Sequence, residues 1–367
     1  MAQPSPRPTR RLKKGAMLVQ DEPRRSPTVL TVLVPCFNEA EILRETVAEL
    51  TAYLDTGRWR KGPEGDWEIL LVDDGSTDGS HSIMVDLAQR DGRVRYLSYR
   101  INAGQGQALQ KGFAAAQGDW IFCVDADLDY GPEHIDRFLA LAEESGAEIV
   151  IGSPYMRRGT TAGVPLARLW MSRLMNWYFR RVLNLGFSTY TSILRLYRRE
   201  AIQGLLLTSR DKELLPEIVI KAALLGIPII EAPAHLHWRA RNRDRGRRGA
   251  SVLSIARKTM RHLLWGTMEN PMLFFLAPVL AVGARTLWFA IAILILFSAS
   301  YSQTAVGGLT AITVAANNVM QVNPQTVVTF AVLLLTGLIL FSLSIIILQN
   351  KVKREHDFLY FSRLLRK

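Results

Sequence analysis

The chain has 367 residues and a formal net charge of +12, from 45 Lys and Arg against 33 Asp and Glu. That length is too great for one ordinary compact domain, so we expect a large core with an appendage. The excess positive charge lies mainly in the first 27 residues, between Arg239 and Arg261, and after residue 350. Because two of these clusters flank an apolar region, they favour an anionic membrane over nucleic acid as the partner.

Short apolar runs alternate with helical patterns from residue 28 onward. Strands are predicted at 28–35, 67–72, 94–97, 120–124, 149–151, 194–197 and 227–232, and helices at 38–50, 76–89, 106–116, 164–182 and 214–224. Strands that are almost continuously apolar and alternate with helices indicate an α/β domain with a mainly parallel sheet covered on both faces. Cys36 and Cys123 lie in two of these strands and are predicted to be reduced core residues.

The C-terminal third of the chain is predicted to cross a membrane. No Asp, Glu, Lys or Arg occurs from Thr286 to Asn350, and about 20 apolar residues suffice for a spanning helix. We predict two transmembrane helices, at about 274–300 and 326–348. Arg285 interrupts the first, and a charge at a helix centre costs about 2.5–3.5 kcal/mol. Arg285 is therefore expected near the cytosolic face, with residues 271–283 either spanning or lying on the surface.

These patterns divide the chain into five parts. The predicted parts are a disordered basic tail at 1–27, a catalytic domain at 28–250, a juxtamembrane basic helix at 251–271, a membrane hairpin at 272–350 and a basic tail at 351–367. Basic residues on both outer flanks of the hairpin predict that the catalytic domain and both termini are cytosolic.

Acidic residues follow two of the predicted strands. Asp125 and Asp127 come directly after the strand at 120–124, and Asp73 and Asp74 come after the strand at 67–72. Two carboxylates in this spacing can share a hard divalent cation that also binds a diphosphate, although Asp is also a common turn residue. Ligands of parallel sheets bind beyond the carboxyl ends of the strands, so we expect a site there.

Two further features near these strands permit more than one interpretation. Gly104-Gln105-Gly106 is too short and too late in the chain for a dinucleotide fingerprint, so it indicates either a close backbone approach to a ligand or a turn. Ser76 is a candidate cap for the helix that follows Asp74.

Five segments together resemble the family-two glycosyltransferases of GT-A fold, and more narrowly the dolichyl-phosphate-mannose synthase and polyprenyl-phosphate glycosyltransferase group. They are VPCFNEA at 34–40, LVDDGSTDG at 71–79, GQGQALQKGF at 104–113, GDWIFCVDADL at 118–128 and LRLYRRE at 194–200. The resemblance implies an inverting, metal-dependent enzyme that uses Mg²⁺ or Mn²⁺. Its donor would be a nucleotide-diphosphate sugar such as GDP-mannose or a UDP-hexose, and its acceptor a polyprenyl phosphate such as dolichyl or undecaprenyl phosphate.

The resemblance also implies a role for individual residues. The nucleotide-binding set is Pro35, Phe37, Glu39, Asp73, Asp74, Gly104 and Asp125; the metal set is Asp125, Asp127 and Asp129; the catalytic set is Asp127, Asp129 and Glu217; and the acceptor-phosphate set is Arg157, Arg168, Ser172 and Arg241. Arg157 enters because Pro154 stands where relatives commonly have an arginine. Glu217 has an equally plain interpretation as an acid in the first turn of a helix.

Other functions remain open at this point. A polysaccharide synthase shares the domain, but it needs a QxxRW motif, which His237-Trp238-Arg239 is not. A non-catalytic membrane scaffold of the same fold is the second alternative. Transport is disfavoured because the two spans offer no charged path for an ion. A homo-oligomer is compatible with a membrane hairpin, and no nucleic-acid partner is expected.

Overall fold

A computed structural model describes residues 18–19, 29–56, 66–239, 271–304 and 307–365 of the chain. The chain divides into two compact units, Met1–Ala256 with Leu359–Lys367 and Arg257–Phe358. The predicted juxtamembrane helix, apart from Pro271, and most of the predicted N-terminal tail lie outside the described residues. Arg241, predicted to contact the acceptor phosphate, lies outside them as well.

The first unit contains ten strands and seven helices among its described residues. The strands are β1 (Leu18–Val19), β2 (Leu30–Cys36), β3 (Trp67–Asp73), β4 (Val94–Ser98), β5 (Trp120–Cys123), β6 (Ile149–Ser153), β7 (Thr160–Ala162), β8 (Arg195–Arg198), β9 (Ile229–Pro233) and β10 (His235–His237). The helices are α1 (Leu43–Leu54), α2 (Ser80–Arg90), α3 (Gln105–Ala115), α4 (His134–Ser145), α5 (Leu166–Leu183), α6 (Arg199–Gln203) and α7 (Leu214–Leu224).

Eight of the strands form one sheet in the order β1-β4-β3-β2-β5-β8-β6-β9. All neighbours pair in parallel except at β1 and β8, which run antiparallel to theirs. The predicted α/β class with a mainly parallel sheet is therefore confirmed. β7 and β10 form a separate parallel pair, which sequence patterns did not predict.

The centre of the sheet is the core of this unit. Every residue of β3 is buried, as are six of the seven residues of β2. α1 packs its buried Leu43, Val47, Leu50 and Leu54 toward the core at helical spacing. Cys36 and Cys123 are free and buried, as predicted.

Three differences from the predicted elements have local causes. α1 begins at Leu43 rather than at 38, because the backbone N–H of Asn38 donates to Ser76 Oγ at 2.9 Å and holds that segment in a loop. Ser76 therefore does not cap α2, which begins at Ser80. Inside the predicted disordered tail, β1 pairs with the edge strand β4.

The second unit consists of three helices in its described residues, α8 (Pro271–Ser302), α9 (Leu309–Val322) and α10 (Pro324–Leu365). Residues 278–302 and 324–360 are long and apolar enough to cross a bilayer, in agreement with the two predicted spans. α8 continues through Pro278 and Arg285 without a break, so residues 271–283 are not a separate helix.

α9 lies between the two predicted transmembrane helices, where no helix was predicted. It packs against α8. Its buried residues, Ala311, Ala315 and Val319, recur every four residues and form one face of the helix. Asn318 Nδ2 donates to Ser300 Oγ of α8 at 3.2 Å.

Candidate active site

The carboxyl ends of three central strands bring the predicted acidic residues to one edge of the sheet. β2 pairs with β3 from Leu30↔Trp67 to Cys36↔Asp73, and β2 pairs with β5 as far as Leu33↔Cys123. Asp73 therefore ends β3 next to the end of β2, and the acidic loop, residues 125–129, leaves β5 on the other side of β2. This edge is where a parallel sheet binds ligands.

The acidic loop is a tight turn. Leu128 N donates to Asp125 O at 3.1 Å, and Leu128 itself has a φ of 49°, a left-handed conformation that is costly for a leucine. Asp129 N donates to Asp127 Oδ1 at 3.2 Å, and Gln105 Nε2 donates to Asp125 Oδ1 at 3.1 Å. The turn thus holds the partly buried carboxylates of Asp125 and Asp127 at the end of β5.

Negative charge accumulates around Asp125. Burial, together with the charges of Asp127, Asp129 and Glu39, raises the pKa of this carboxyl to about 7, although the Lys212 ammonium acts to lower it. The ionised carboxylates repel one another at this site, and a bound cation would reduce that repulsion.

A divalent cation fits two of the three predicted ligands. Among the described residues, no group of three or more His, Cys, Asp or Glu side chains is arranged to hold a metal. Mg²⁺ commonly binds to one or two carboxylates and completes its shell with water and substrate phosphates. Asp125 and Asp127 supply hard oxygen donors of this kind, and when bound the ion would neutralise charge on a diphosphate.

Asp129 has a different environment from the other two acids. It is buried, its Oδ1 accepts a hydrogen bond from Arg239 N at 3.1 Å, and its carbonyl accepts one from His237 N at 2.8 Å. The side chain of Arg239 in turn pairs with both carboxylate oxygens of Glu49, at 2.6 and 2.7 Å. These contacts connect the acidic loop with the segment after β10, and the predicted metal and catalytic roles of Asp129 stay predictions.

Asp73 and Asp74 are buried, and both accept hydrogen bonds from neighbouring segments. Asp73 accepts from Ser76 N and Ser98 Oγ, both at 2.9 Å. Asp74 accepts from Ala103 N at 2.7 Å and Gly104 N at 2.9 Å. The two acids therefore stabilise the backbone at this edge of the sheet, and their direct contact with a nucleotide stays a prediction.

The end of β2 carries the more accessible part of the predicted nucleotide set. Phe37 is 44% exposed, and Pro35 and Glu39 are partly exposed. Glu39 N donates to Ser80 Oγ at 2.9 Å, which fixes this segment to the start of α2. The side chain of Glu39 is close enough to Asp125 to raise its pKa. These residues therefore share one site with the acidic loop.

Gly104 and Gly106 allow a close approach between two parts of the protein. A Cβ atom on Gly104 would lie 2.6 Å from Arg210 O, and one on Gly106 would lie 2.4 Å from Asp211 O. In the structure both glycines lie against the backbone of the 206–213 loop, which precedes α7, and the predicted approach to a ligand stays a prediction.

Glu217 anchors the same loop from its other side. It is buried and accepts from Thr208 N at 2.9 Å, Thr208 Oγ1 at 2.7 Å and Ser209 N at 2.8 Å, and it forms an ion pair with Lys221 at 2.5 Å. Burial alone would raise the pKa of Glu217, but the hydrogen bonds from Lys221 and Thr208 outweigh it and lower the pKa. Glu217 therefore holds the 206–213 loop in place, and its predicted catalytic role stays a prediction.

The described residues of the predicted acceptor set lie on α5 and on the loop before β7. Arg168 lies with its guanidinium 4.5 Å from the centre of the Trp238 ring, and Ser172, one turn later, accepts from Tyr155 OH at 2.7 Å. Arg157 is exposed. The structure brings Arg168 and Ser172 to one face of α5, and their binding of a phosphate stays a prediction.

α5 also exposes large apolar side chains. Leu166, Trp170, Leu174 and Trp177 are 74%, 71%, 56% and 58% exposed, at spacings that place them along one side of the helix. The helix contains four arginines and no acidic residue. An exposed apolar stripe among arginines is unusual for a surface in water, and it indicates a contact surface.

The family model for glycosyl transferase family 2 matches residues 31–206. Residues 31–206 are a glycosyl transferase family 2 domain. The domain includes the acidic loop, both glycines of the Gly104-Gln105-Gly106 motif and all of α5. The matched residues end before Lys212, Glu217 and Arg239. The family model therefore gives no information about the contacts of these three residues.

Curated relatives are similar over a little more than half of the chain. The undecaprenyl-phosphate 4-deoxy-4-formamido-L-arabinose transferases of Salmonella paratyphi A and Salmonella dublin are each 33% identical over 208 residues, which cover 56% of this chain. The match spans only 59% of the length of these relatives.

Solved structures with a similar fold include two bacterial proteins. Glucosyl-3-phosphoglycerate synthase from Mycobacterium tuberculosis, in complex with Mg²⁺ and UDP, is 19% identical with a TM-score of 0.46, covering 65% of this chain and 79% of that one. Staphylococcus aureus TarS 1–349, in complex with UDP, is 20% identical with a TM-score of 0.40, covering 58% and 59%.

Proposed function

We propose that this chain transfers a sugar from a nucleoside-diphosphate sugar to a polyprenyl phosphate at the cytosolic face of a membrane. The observation that carries the proposal is the excess of carboxylates around Asp125 and Asp127 at the ligand-binding edge of a family 2 domain. The names of the curated relatives support the acceptor class, since those proteins act on undecaprenyl phosphate.

The proposed reaction is a single displacement at the anomeric carbon of the sugar. The bond from this carbon to the donor diphosphate breaks, a bond to an oxygen of the lipid phosphate forms on the opposite face, and the nucleoside diphosphate leaves. A phosphate monoester has its second pKa near 6, so at neutral pH the nucleophile is already ionised. This chemistry needs no strong general base, which agrees with the structural role of Glu217.

The donor is proposed to lie across the ends of β2, β3 and β5. The exposed ring of Phe37 is available to contact the base, while Asp125 and Asp127 provide oxygen donors for Mg²⁺ or Mn²⁺ beside the diphosphate. Both GDP-mannose and a UDP-hexose suit this arrangement, because the proposed contacts involve only the phosphates and one face of the base.

The acceptor is proposed to lie along α5. Arg168 is suited to a phosphate because its guanidinium donates two parallel hydrogen bonds, and Ser172 lies on the same face. The exposed stripe of Leu166, Trp170, Leu174 and Trp177 offers an apolar surface for the lipid environment. α8 and α10 are long and apolar enough to anchor the chain in a bilayer, and the basic residues after 350 favour a cytosolic C-terminus.

The proposal is tested by incubating the purified full chain in detergent with undecaprenyl phosphate, Mg²⁺ or Mn²⁺ and radiolabelled nucleotide sugars. Transfer of label from one donor into the organic phase is the expected result. Label in a product that stays in the aqueous phase and grows in length would favour the polysaccharide synthase. A chain that neither transfers label nor binds any nucleotide would favour the scaffold.

The surface of α5 gives a separate prediction. Because Cys36 and Cys123 are buried, a nitroxide reagent will react mainly with an introduced cysteine. After reconstitution in nanodiscs of anionic lipid, labels at Trp170→Cys and Trp177→Cys should collide more often with oxygen than with a water-soluble nickel complex. The matched control is Glu143→Cys, on the exposed side of α4, where the nickel complex should dominate. Equal nickel accessibility at all three positions would contradict a lipid contact.

A further inference from the structure

The 206–213 loop is held tightly against the start of α3. Gln107 N donates to Arg210 O at 2.9 Å, and Gln110 Nε2 donates to Ser209 O at 2.6 Å. The absence of a side chain at Gly106 lets Asp211 O approach the helix. With Glu217 binding residues 208 and 209 from the other side, the loop is held from two sides.

This fixed geometry places Lys212 beside the acidic loop. Lys212 directly follows Asp211, whose backbone contacts Gly106, and the neighbouring residue Gln105 donates to Asp125 Oδ1 at 3.1 Å. The Lys212 ammonium also interacts electrostatically with Asp125, with a sign opposite to that of the surrounding carboxylates. The side chain is exposed, and no salt bridge from it is found among the described residues. The ammonium is thus accessible at the site.

We propose that Lys212 binds the diphosphate of the nucleotide donor. The inference rests on the proposed function and adds to it a residue outside the segment matched by the family model. An ammonium is a compact charge with three donors that suits phosphate oxygens. As the bond to the anomeric carbon breaks, negative charge grows on the departing diphosphate, and a fixed cation beside it stabilises that charge.

The contacts of the loop explain why a lysine would act well here. A cation on a free surface loop loses side-chain and backbone freedom when it binds a ligand. In this loop the backbone is already fixed by Gln107, Gln110 and Glu217, so only the lysine side chain has to become ordered. The Gly104-Gln105-Gly106 motif then serves the donor indirectly, by admitting the loop that carries Lys212.

The test compares nucleotide affinities of the full chain in detergent by isothermal titration calorimetry, with saturating Mn²⁺ throughout. Lys212→Met should weaken binding of UDP or GDP, whichever the wild type binds, by about tenfold, the usual effect of losing a charged hydrogen bond. Binding of the corresponding nucleoside monophosphate should change less than about twofold. Lys212→Arg should retain most of the affinity for the diphosphate. The matched control is Arg210→Met, which removes an exposed cation from the same loop.

Each outcome bears on one of the two proposals. If the wild type binds no nucleotide, the proposed function fails. If the wild type binds UDP or GDP and Lys212→Met binds it equally well, the assignment of Lys212 is wrong and the proposed function stands. A loss that is equal for mono- and diphosphate, or equal in Arg210→Met, would also overturn the assignment, because it would reflect general charge rather than recognition of the diphosphate.

Discussion

Asp127→Asn is expected to reduce sugar transfer by roughly a thousandfold, since a catalytic cation contributes several kcal/mol to transition-state stabilisation. The substitution keeps the size of the side chain and an oxygen that can accept the hydrogen bond from Asp129 N, 3.2 Å away in the wild type. It removes the negative charge that a cation requires. The measurement is kcat/KM for transfer of label to undecaprenyl phosphate, across a series of Mn²⁺ concentrations.

The matched control for this prediction is Asp119→Asn. Asp119 is an exposed acid at the opposite, amino-terminal end of β5, and its described side-chain contact is a surface ion pair with Arg199 at 3.2 Å. Such pairs contribute about 1 kcal/mol or less, so transfer should stay within about twofold of wild type. Unchanged transfer by Asp127→Asn, with the same dependence on Mn²⁺, would exclude Asp127 as a metal ligand.

Much of the catalytic fold was predictable because its strands are buried on both sides. β3 reads as one apolar run, WEILLVD, and all seven residues are buried; a run of this kind has few alternatives to a central strand. The short elements were missed for the opposite reason. β7 and β10 have three residues each and are partly exposed, so their pairing depends on tertiary contacts that leave no periodic pattern.

The candidate site shows the same division. Asp125 and Asp127 were predictable because they directly follow a buried strand. Lys212 was not, because it reaches the site through the approach of Asp211 to Gly106, about a hundred residues away in sequence. The motif around Gly106 predicted either a close backbone approach to a ligand or a turn, and not an approach to another loop of the protein. The sequence did not identify the segment that approaches Gly106, because a glycine indicates available space without identifying what fills it.

The contacts of Glu217 with the 206–213 loop were not predicted for a similar reason. An acid in the first turn of a helix is compatible with catalysis and with simple stabilisation of that turn. The deciding contacts come from Thr208 and Ser209, whose backbone N–H groups are left without a helical partner. Those groups belong to a loop, and loop conformation is poorly specified by sequence patterns. The charge of Glu217 thus acts on the loop that carries Lys212.

Asp125→Asn is expected to stabilise the metal-free protein at pH 8. The pKa of Asp125 is raised from 3.8 to about 7 by burial and by nearby carboxylates. Between these two pH values the folded state binds more protons at this group than the unfolded state, so the unfolding free energy falls as pH rises. Above pH 7 the full penalty applies, and at 1.36 kcal/mol per pKa unit it amounts to roughly 4 kcal/mol.

An uncharged amide at this position removes that penalty and can still accept the hydrogen bond from Gln105. The apparent Tm of Asp125→Asn in EDTA, followed by tryptophan fluorescence, should exceed that of wild type by several degrees at pH 8. The difference should be smaller at pH 5 and should disappear below about pH 4, where the Asp125 carboxyl is protonated in both the folded and the unfolded state. Adding Mn²⁺ with nucleotide should raise the Tm of wild type and leave the variant almost unchanged.

A lower Tm for Asp125→Asn at pH 8 would contradict this account, because it would mean that the carboxylate stabilises the fold by itself. The expected increase would instead show that the protein tolerates a destabilising charge at the end of β5. Proteins keep such charges where a ligand compensates for them. In the bound state the cation would then add positive charge to that which Lys212 contributes in the free protein.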